Sequence, residues 1–254
     1  MTFKNSIMKA IIIIIIFIGI TSIEVSGQEK AGKRQNIDTL ITNSGGSGPE
    51  IYFEFIRGKK YSHPVIAVWI EDMNEKYIQT LYVSQSIAKG VFEHGQIVKG
   101  NWAPGEQRRP ASLPYWAHQR GIKAMDGLYV PDATTAVPDA YTGATPLQSF
   151  LLKSKSDKQL PTKFRLYFEI NQAFDWNDNW HNNQYPEDEA YKTSGQPSLV
   201  YAVTIDTQNP QDEYFMNPIG HGQYSGSDGK LYTDLSKFTT ALQISGSIKV
   251  WLKK

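Results

Sequence analysis

The sequence predicts an all-β protein built as an antiparallel β-sandwich, with long loops and at most one or two short helices. Apolar and polar residues alternate with period two in several separate segments, which is typical of β-strands. No long amphipathic helical pattern is present, which argues against a parallel sheet covered by helices. Because period-two alternation is typical of sheets with one wet face, we expect solvent on one face of each sheet.

The first elements of the predicted sandwich are a strand and a β-hairpin. Residues 51–56 alternate apolar and polar side chains and predict the first strand. The apolar run 64–70 and the alternating run 77–83 flank a polar turn at residues 71–76. Two such runs joined by a short polar turn indicate a hairpin.

The middle of the chain, residues 84–160, is poor in strand patterns and is predicted to form long loops. Within it, residues 114–120 predict a short helix, with Ser112 as its N-cap and Gly121 as its end. Further strands are predicted at residues 163–170, 198–205 and 241–252.

Composition excludes several classes of protein. The chain has 254 residues, 40% of them apolar, which is enough for a substantial core. The absence of cysteine excludes thiolate zinc sites, iron–sulfur clusters and a catalytic cysteine. A net charge of +1 argues against a nucleic-acid binder, which normally carries a basic excess.

Residues 1–27 have the pattern of a secretory signal peptide. Lys4 and Lys9 precede an unbroken apolar run over residues 10–20, and Gly27 supplies a small residue for cleavage. An uncleaved anchor is the alternative, but the run is shorter than the ~20 residues that cross a bilayer. We therefore expect export to the periplasm or cell surface, with no membrane span after cleavage.

A flexible linker is predicted to follow the signal peptide. Residues 28–49 are polar and end in the glycine- and serine-rich stretch 44–49. Residues 50–254 are then expected to form a single β-sandwich domain.

Residues 139–145 carry a motif with a defined chemistry. They read Asp, two free positions, Thr, Gly, Ala, Thr, and resemble the acceptor site of extracytosolic flavin transferases. Those enzymes join the phosphate of FMN to the last hydroxyl of the motif, which implies Thr145 as the acceptor and covalent FMN as the cofactor. Five fixed positions match by chance in roughly one chain in a thousand of this length, so the match carries weight.

The residue types of the motif suit that chemistry. The Thr145 hydroxyl is a nucleophile that needs an outside enzyme to activate it. Gly143 and Ala144 lack bulk, so the segment can enter another active site, and Gly143 tolerates unusual backbone angles. Asp139 and Thr142 can hydrogen-bond the local backbone and shape the loop. An ordinary tight turn, built from the same residue types, is the alternative.

Several segments in order resemble the predicted periplasmic family called domain of unknown function 2271. They are residues 68–72, 77–81, 139–146 and 239–242, within a resemblance that covers roughly residues 50–252. The resemblance implies a sandwich similar to immunoglobulin-like and flagellar hook-capping domains. It also implies a flavin transferase and a membrane protein of the peptidase-propeptide-like reductase type as partners. The family has no established catalytic activity to carry over.

A polar and aromatic segment later in the chain is a second candidate site. Asp175, Asn177 and Asn179 echo the oxygen ligands of a calcium loop, but Trp180 stands where an EF-hand requires glycine. An irregular calcium site, a sugar-binding edge with Trp176, a cover for the flavin ring and a plain asparagine-rich turn remain alternatives. The candidate ligand surface comprises Asp175, Trp176, Asn177, Trp180 and His181.

Three functions remain open from the sequence. The first is an electron carrier with no catalytic activity of its own, which needs an exposed, flexible segment 139–146. The second is a binding module for a glycan, a metal ion or a partner protein. The third is a hydrolase whose carboxylates meet in space. The candidates for such a pair are Asp72, Asp139, Asp175 and Asp178. No histidine pair has ligand spacing on a helix, so no metal site is assigned.

Overall fold

The computed structural model describes residues 37–253, and two β-sheets account for most of its strands. The predicted signal peptide, residues 1–27, and the first part of the predicted linker lie outside the described residues.

The strands and helices follow one another in a mostly β order. The strands are β1 (Asp38–Thr42), β2 (Glu50–Arg57), β3 (Val65–Asp72), β4 (Tyr77–Ser84), β5 (Val91–Val98), β6 (Asn101–Glu106), β7 (Thr142–Gly143), β8 (Phe150–Lys155), β9 (Lys163–Asn171), β10 (Leu199–Asp206), β11 (Tyr214–Phe215), β12 (Asn217–His221) and β13 (Ser245–Leu252). The α-helices are α1 (Gln85–Lys89), α2 (Pro114–Arg120) and α3 (Glu189–Lys192).

Two sheets face each other, which confirms the all-β sandwich. One sheet has the order β1-β8-β2-β13-β11, and the other has the order β12-β10-β9-β3-β4-β7. Strand pairs β1–β8 and β4–β7 are parallel, whereas the remaining pairs are antiparallel. Side chains of both sheets share one core, which includes Phe53, Phe55, Phe150, Val68, Phe164 and Phe168. Strands β5 and β6 form a separate two-stranded ribbon.

The expectation of a wet face is wrong for the six-stranded sheet. Its outer face carries a second apolar cluster, in which Trp69 and Tyr167 stack with ring centroids 5.2 Å apart. Residues of α1 and α2 cover this face, including Ile87 and Trp116. The physical reason is visible in β3, whose run of six buried residues leaves no polar face.

The predicted hairpin and helix are confirmed, but the helix begins differently. Strands β3 and β4 pair antiparallel, and α2 has the predicted bounds. Gly121 ends α2 in the left-handed conformation at φ 73°. The N-cap is Leu113 without a side-chain cap, and the expected cap Ser112 plays no such part. Instead, the carboxylate of Glu169 on β9 accepts the free N–H groups of the first helical turn.

Part of the predicted flexible linker is ordered structure. Residues 38–42 form β1 and pair with β8. The backbone N–H of Gly48 then donates to Ser156 at 3.0 Å. A Cβ on Gly48 would lie 2.1 Å from the Lys158 carbonyl oxygen, so this glycine serves close packing. The linker prediction is therefore wrong from residue 38 onward.

The middle of the chain is more structured than expected. It contains α1, the β5–β6 ribbon and β8, whose alternation of buried and half-buried residues was missed. The described part of the chain has three short α-helices, one more than the sequence suggested. Among residues 37–253, no helix is both long enough and apolar enough to cross a membrane.

Candidate functional site

The predicted acceptor segment, residues 139–146, lies at the edge of the six-stranded sheet. A 3₁₀ turn at Asp139–Tyr141 leads into β7, which pairs in parallel with the last two residues of β4. The chain then leaves the sheet, and Thr145 belongs to no strand or helix. The candidate acceptor is therefore positioned by the sheet edge without being part of it.

Two tyrosine hydroxyls anchor the backbone on either side of Thr145. Tyr82 donates to the Ala144 carbonyl at 2.6 Å, and Tyr61 donates to the Pro146 carbonyl at 2.5 Å. Burial raises the pKa of both phenols, which keeps them protonated as donors. Ala144 is exposed and Thr145 is half-buried. The segment is thus accessible from solvent, but it is held in place rather than flexible.

Gly143 is needed for space and not for its backbone angles. Its φ lies outside the left-handed region that favours glycine. A Cβ at this position would lie 3.0 Å from the ring of Tyr82, which is tighter than ordinary contact. The expectation that Gly143 supplies an unusual backbone conformation is wrong, whereas its lack of bulk is required.

The two polar residues at the start of the motif act in different ways. The Thr142 hydroxyl donates to the Asp139 carbonyl at 3.4 Å, so it stabilises the turn as expected. The Asp139 carboxylate instead pairs with Lys89 of α1 at 2.8 Å. This ion pair ties the motif to α1.

The hydroxyl of Thr145 has one close polar neighbour. Its Oγ1 lies 2.9 Å from the Oγ of Ser84 at the end of β4. Ser84 is buried, and its Oγ also accepts the backbone N–H of Ile66 at 3.0 Å. Thr145 therefore sits at the outer end of a short hydrogen-bonded chain that leads to the core.

A cleft of about 570 Å³ opens at Thr145, and we call it the Thr145 cleft. Its volume is within the range of small-molecule sites, which is about 300–1,000 Å³. Donor, cationic and aromatic side chains line it, namely Gln85, Ser86, Lys89, Phe92, Arg109 and Thr145. Three of these come from α1 and one from β5, so the cleft depends on a region that the sequence did not resolve into elements.

The second candidate surface, residues 175–181, is not brought together as expected. Trp180 is buried against Phe238 and Tyr191, so it belongs to the core and not to a ligand surface. Trp176 is 54% exposed and meets Phe174 edge to face.

The polar residues of this surface mainly hold the loop itself. The side-chain Oδ1 of Asn177 accepts the backbone N–H groups of Asn179 and Trp180, and its side-chain nitrogen donates to the Gln196 side chain. Asp175 accepts from the same Gln196 at 2.8 Å. His181 contributes its backbone carbonyl to Tyr191. An asparagine-rich turn accounts for most of these contacts.

Three of the four candidate carboxylates are engaged in separate local contacts. Asp72 accepts the N–H groups of Asn74 and Lys76 within the β3–β4 turn, whereas Asp139 and Asp175 have the partners given above. Asp178 lies on the exposed side of its turn. Within residues 37–253, no group of three or more His, Asp or Glu side chains is placed to hold a metal ion.

Sequence reasoning missed two buried glutamates on the outer face of the six-stranded sheet. Glu71 of β3 and Glu169 of β9 are both fully buried, and burial raises each pKa to about 7. The sequence signal that could have found them is a charged residue among the apolar residues of a strand. Their contacts are with the sheet and α2, so we assign them to the fold rather than to the Thr145 cleft.

Comparison of the chain with protein-family models, with curated proteins and with solved structures finds no match. The likeness to the domain of unknown function 2271 family stays a prediction that rests on the segments quoted above.

Proposed function

We propose that this chain is an exported carrier of covalently bound FMN, with Thr145 as the attachment residue. One observation carries the proposal. The hydroxyl of the motif's last threonine stands outside regular structure, half-buried, in the wall of a 570 Å³ cleft. An ordinary tight turn would not need to present this hydroxyl to a cleft of ligand size.

The attachment step is a transfer of a flavin phosphate to a hydroxyl. The Thr145 oxygen attacks the FMN-side phosphorus of FAD in the active site of a flavin transferase. A Thr145 O–P bond forms, and the bond from that phosphorus to the AMP oxygen breaks. AMP leaves with the electron pair, and the hydroxyl proton passes to a base of the transferase. The chain thus gains one FMN less one water.

The side chains present are suited to such a group. Arg109 supplies positive charge beside Thr145 in the same cleft, and Phe92 supplies an aromatic face. Lys89 also lines the cleft, where it pairs with Asp139 of the motif. When bound, the flavin supplies redox chemistry, while the protein supplies position and local polarity. This chain acts as a carrier without catalytic activity of its own, and a membrane reductase exchanges the electrons.

Intact mass spectrometry tests the proposal. The chain is produced with and without an exported flavin transferase, and flavin fluorescence is read in a denaturing gel. We expect a gain of one FMN less water, which Thr145→Ala abolishes. Thr204→Ala is the matched control, because Thr204 is an exposed threonine on β10, away from the motif. The absence of a mass gain in the wild-type chain would sink the proposal.

A binding module is the second candidate function, and the Phe174–Trp176 pair is what favours it. Both rings are more than half exposed, and Phe174 has a φ of 62°, which is rare for a bulky residue. Strained residues with exposed rings are found at binding sites. Loss of binding to a glycan array in Trp176→Ala, with the fold intact, would support this function.

A further inference from the structure

The guanidinium cation of Arg109 has no acidic partner among residues 37–253. It is half-buried in the wall of the Thr145 cleft, and its guanidinium lies 4.2 Å from the centre of the Phe92 ring. The guanidinium makes no hydrogen bond or ion pair to any residue from 37 to 253. Partial burial lowers the pKa of Arg109, but an arginine stays protonated at neutral pH.

The neighbouring residue shows how this region pairs an arginine when the role is structural. Arg108 contacts Asp126 at 2.5 Å and Asp132 at 3.6 Å, and it donates to the Val130 carbonyl at 2.6 Å. Burial of an uncompensated charge is costly, so buried arginines are normally paired in this way. In contrast, Arg109 lines the cleft without such a carboxylate among residues 37–253.

Other donors converge on the same cleft. Lys89 lines it, as do the side chains of Gln85 and Ser86. The acidic residue of the lining, Glu93, is exposed on β5, where solvent screens its charge. An arginine fork with adjacent lysine, amide and hydroxyl donors is the set that recognises a phosphate group.

We propose that the Thr145 cleft binds a phosphate monoester without covalent attachment, with Arg109 as its principal ligand and Phe92 as an apolar wall beside it. The identity of the ligand as FMN rests on the proposed function. Recognition of its phosphate group requires only the cleft. The bound phosphate is then retained next to Thr145 after attachment, which keeps the flavin on the protein surface in one orientation.

Binding measurements on chain made without a flavin transferase test this inference. The probes are FMN, riboflavin, which lacks the phosphate, and inorganic phosphate as a competitor. We expect FMN to bind at least about tenfold more tightly than riboflavin, since charge-assisted hydrogen bonds to phosphate are strong. Competition by phosphate alone identifies the phosphate as the recognised group, whichever molecule carries it. Equal binding of FMN and riboflavin would overturn the inference.

Variants separate the role of Arg109 from general charge. Arg109→Gln should weaken FMN roughly tenfold to a hundredfold and leave riboflavin unchanged. Arg57→Gln removes the same charge from an exposed position outside the cleft and should change neither. Arg109→Lys keeps the charge but not the planar fork of donors. Its affinity for FMN should therefore lie between those of the wild type and Arg109→Gln. Unchanged FMN binding in folded Arg109→Gln, or in Arg109→Lys if Arg109→Gln does not fold, would contradict the inference.

The outcomes distinguish this inference from the proposed function. Thr145→Ala removes the acceptor but keeps Arg109, so it should still bind FMN more tightly than riboflavin. Tight binding by Thr145→Ala together with no covalent loading of the wild type would sink the carrier and leave the phosphate site. The opposite result would be normal covalent loading of the wild type and of Arg109→Gln, with no binding of free FMN. It would overturn the phosphate site and leave the carrier.

Discussion

Thr145 Oγ1 lies 2.9 Å from Ser84 Oγ, and the same Ser84 oxygen accepts the N–H of Ile66. Ser84 therefore uses one lone pair toward the core and can still donate its own proton toward Thr145. An ester oxygen has no proton and can only accept. Because Ser84 can donate, the hydrogen bond survives attachment of a phosphate to Thr145. The Ser84–Thr145 hydrogen bond can therefore form both before and after attachment of the phosphate.

Removal of the Ser84 hydroxyl should cost more stability than removal of the Thr145 hydroxyl. Ser84→Ala leaves the buried N–H of Ile66 without its acceptor, and we expect a loss of about 1–3 kcal/mol. Thr145→Val leaves the Ser84 hydroxyl still bonded to the Ile66 N–H, and we expect a loss of less than about 1 kcal/mol. Urea unfolding of both variants measures the difference. Equal losses would mean that the Ile66 contact contributes nothing.

The tyrosine anchors should slow modification of Thr145. A transferase must draw the segment into its own active site, and each anchor opposes this with a hydrogen bond worth about 0.5–1.5 kcal/mol. Tyr82→Phe and Tyr61→Phe should each raise the initial rate of flavin loading, by roughly twofold to tenfold. A time course of intact mass measures the rate, with Tyr52→Phe on β2 as the control. Slower loading in both variants would show that the anchored shape is the recognised one.

Gly143 should not tolerate a methyl group. Gly143→Ala brings a Cβ to 3.0 Å from the Tyr82 ring, so the ring or the segment must shift. We expect a stability loss of roughly 1 kcal/mol and impaired loading of Thr145. Gly45→Ala is the control, because a Cβ at Gly45 meets nothing within 4 Å. Thermal unfolding and intact mass follow the two effects, and identical behaviour of both alanine variants would refute the steric argument.

Local patterns predicted α2 and the strands β2, β3, β4, β9, β10 and β13, because alternation and turn residues act over a few neighbouring positions. They did not predict β1, β8 or the β5–β6 ribbon. The contacts that define the cleft join residues far apart in the sequence, so no local pattern predicts them. Arg108 and Arg109 are adjacent and identical in type, and only the folded position of Asp126 and Asp132 distinguishes them. Trp180 was placed at the surface because no local pattern shows that Phe238 packs against it.

Burial raises the pKa of both buried glutamates, Glu71 and Glu169, but their carboxyl oxygens have different hydrogen-bond partners. One oxygen of Glu71 accepts the indole N–H of Trp69 at 2.7 Å, and the other has no partner among the described residues. Glu169 accepts from the N–H groups of Tyr115 and Trp116, and from the Ser198 hydroxyl. Both oxygens of Glu169 are therefore needed as acceptors, but only one oxygen of Glu71 is.

These carboxyls should make the protein less stable as pH rises. Burial raises each pKa from 4.5 to about 7. Between these values the folded carboxyl keeps a proton that the unfolded chain releases. The free energy of unfolding should therefore fall from pH 4.5 to pH 7 and stay level above it, as far as these two groups determine it.

Replacement of each glutamate by glutamine should then change stability by different amounts, because the two carboxyls differ in hydrogen bonding. Glu71→Gln removes a poorly compensated buried charge and keeps the acceptor for Trp69. We expect a gain of about 1–3 kcal/mol at pH 8 and little change at pH 5. Glu169→Gln turns an NH₂ group toward a backbone N–H, because a carboxylic acid oxygen still accepts there and an amide nitrogen does not. We expect a loss of about 1–3 kcal/mol at pH 5. At pH 8 the loss should be smaller, because the variant also avoids the buried charge that destabilises the wild type there. Urea unfolding at pH 5 and pH 8 tests the pair, and a stability gain of equal size in both variants at pH 8 would show that desolvation alone governs them.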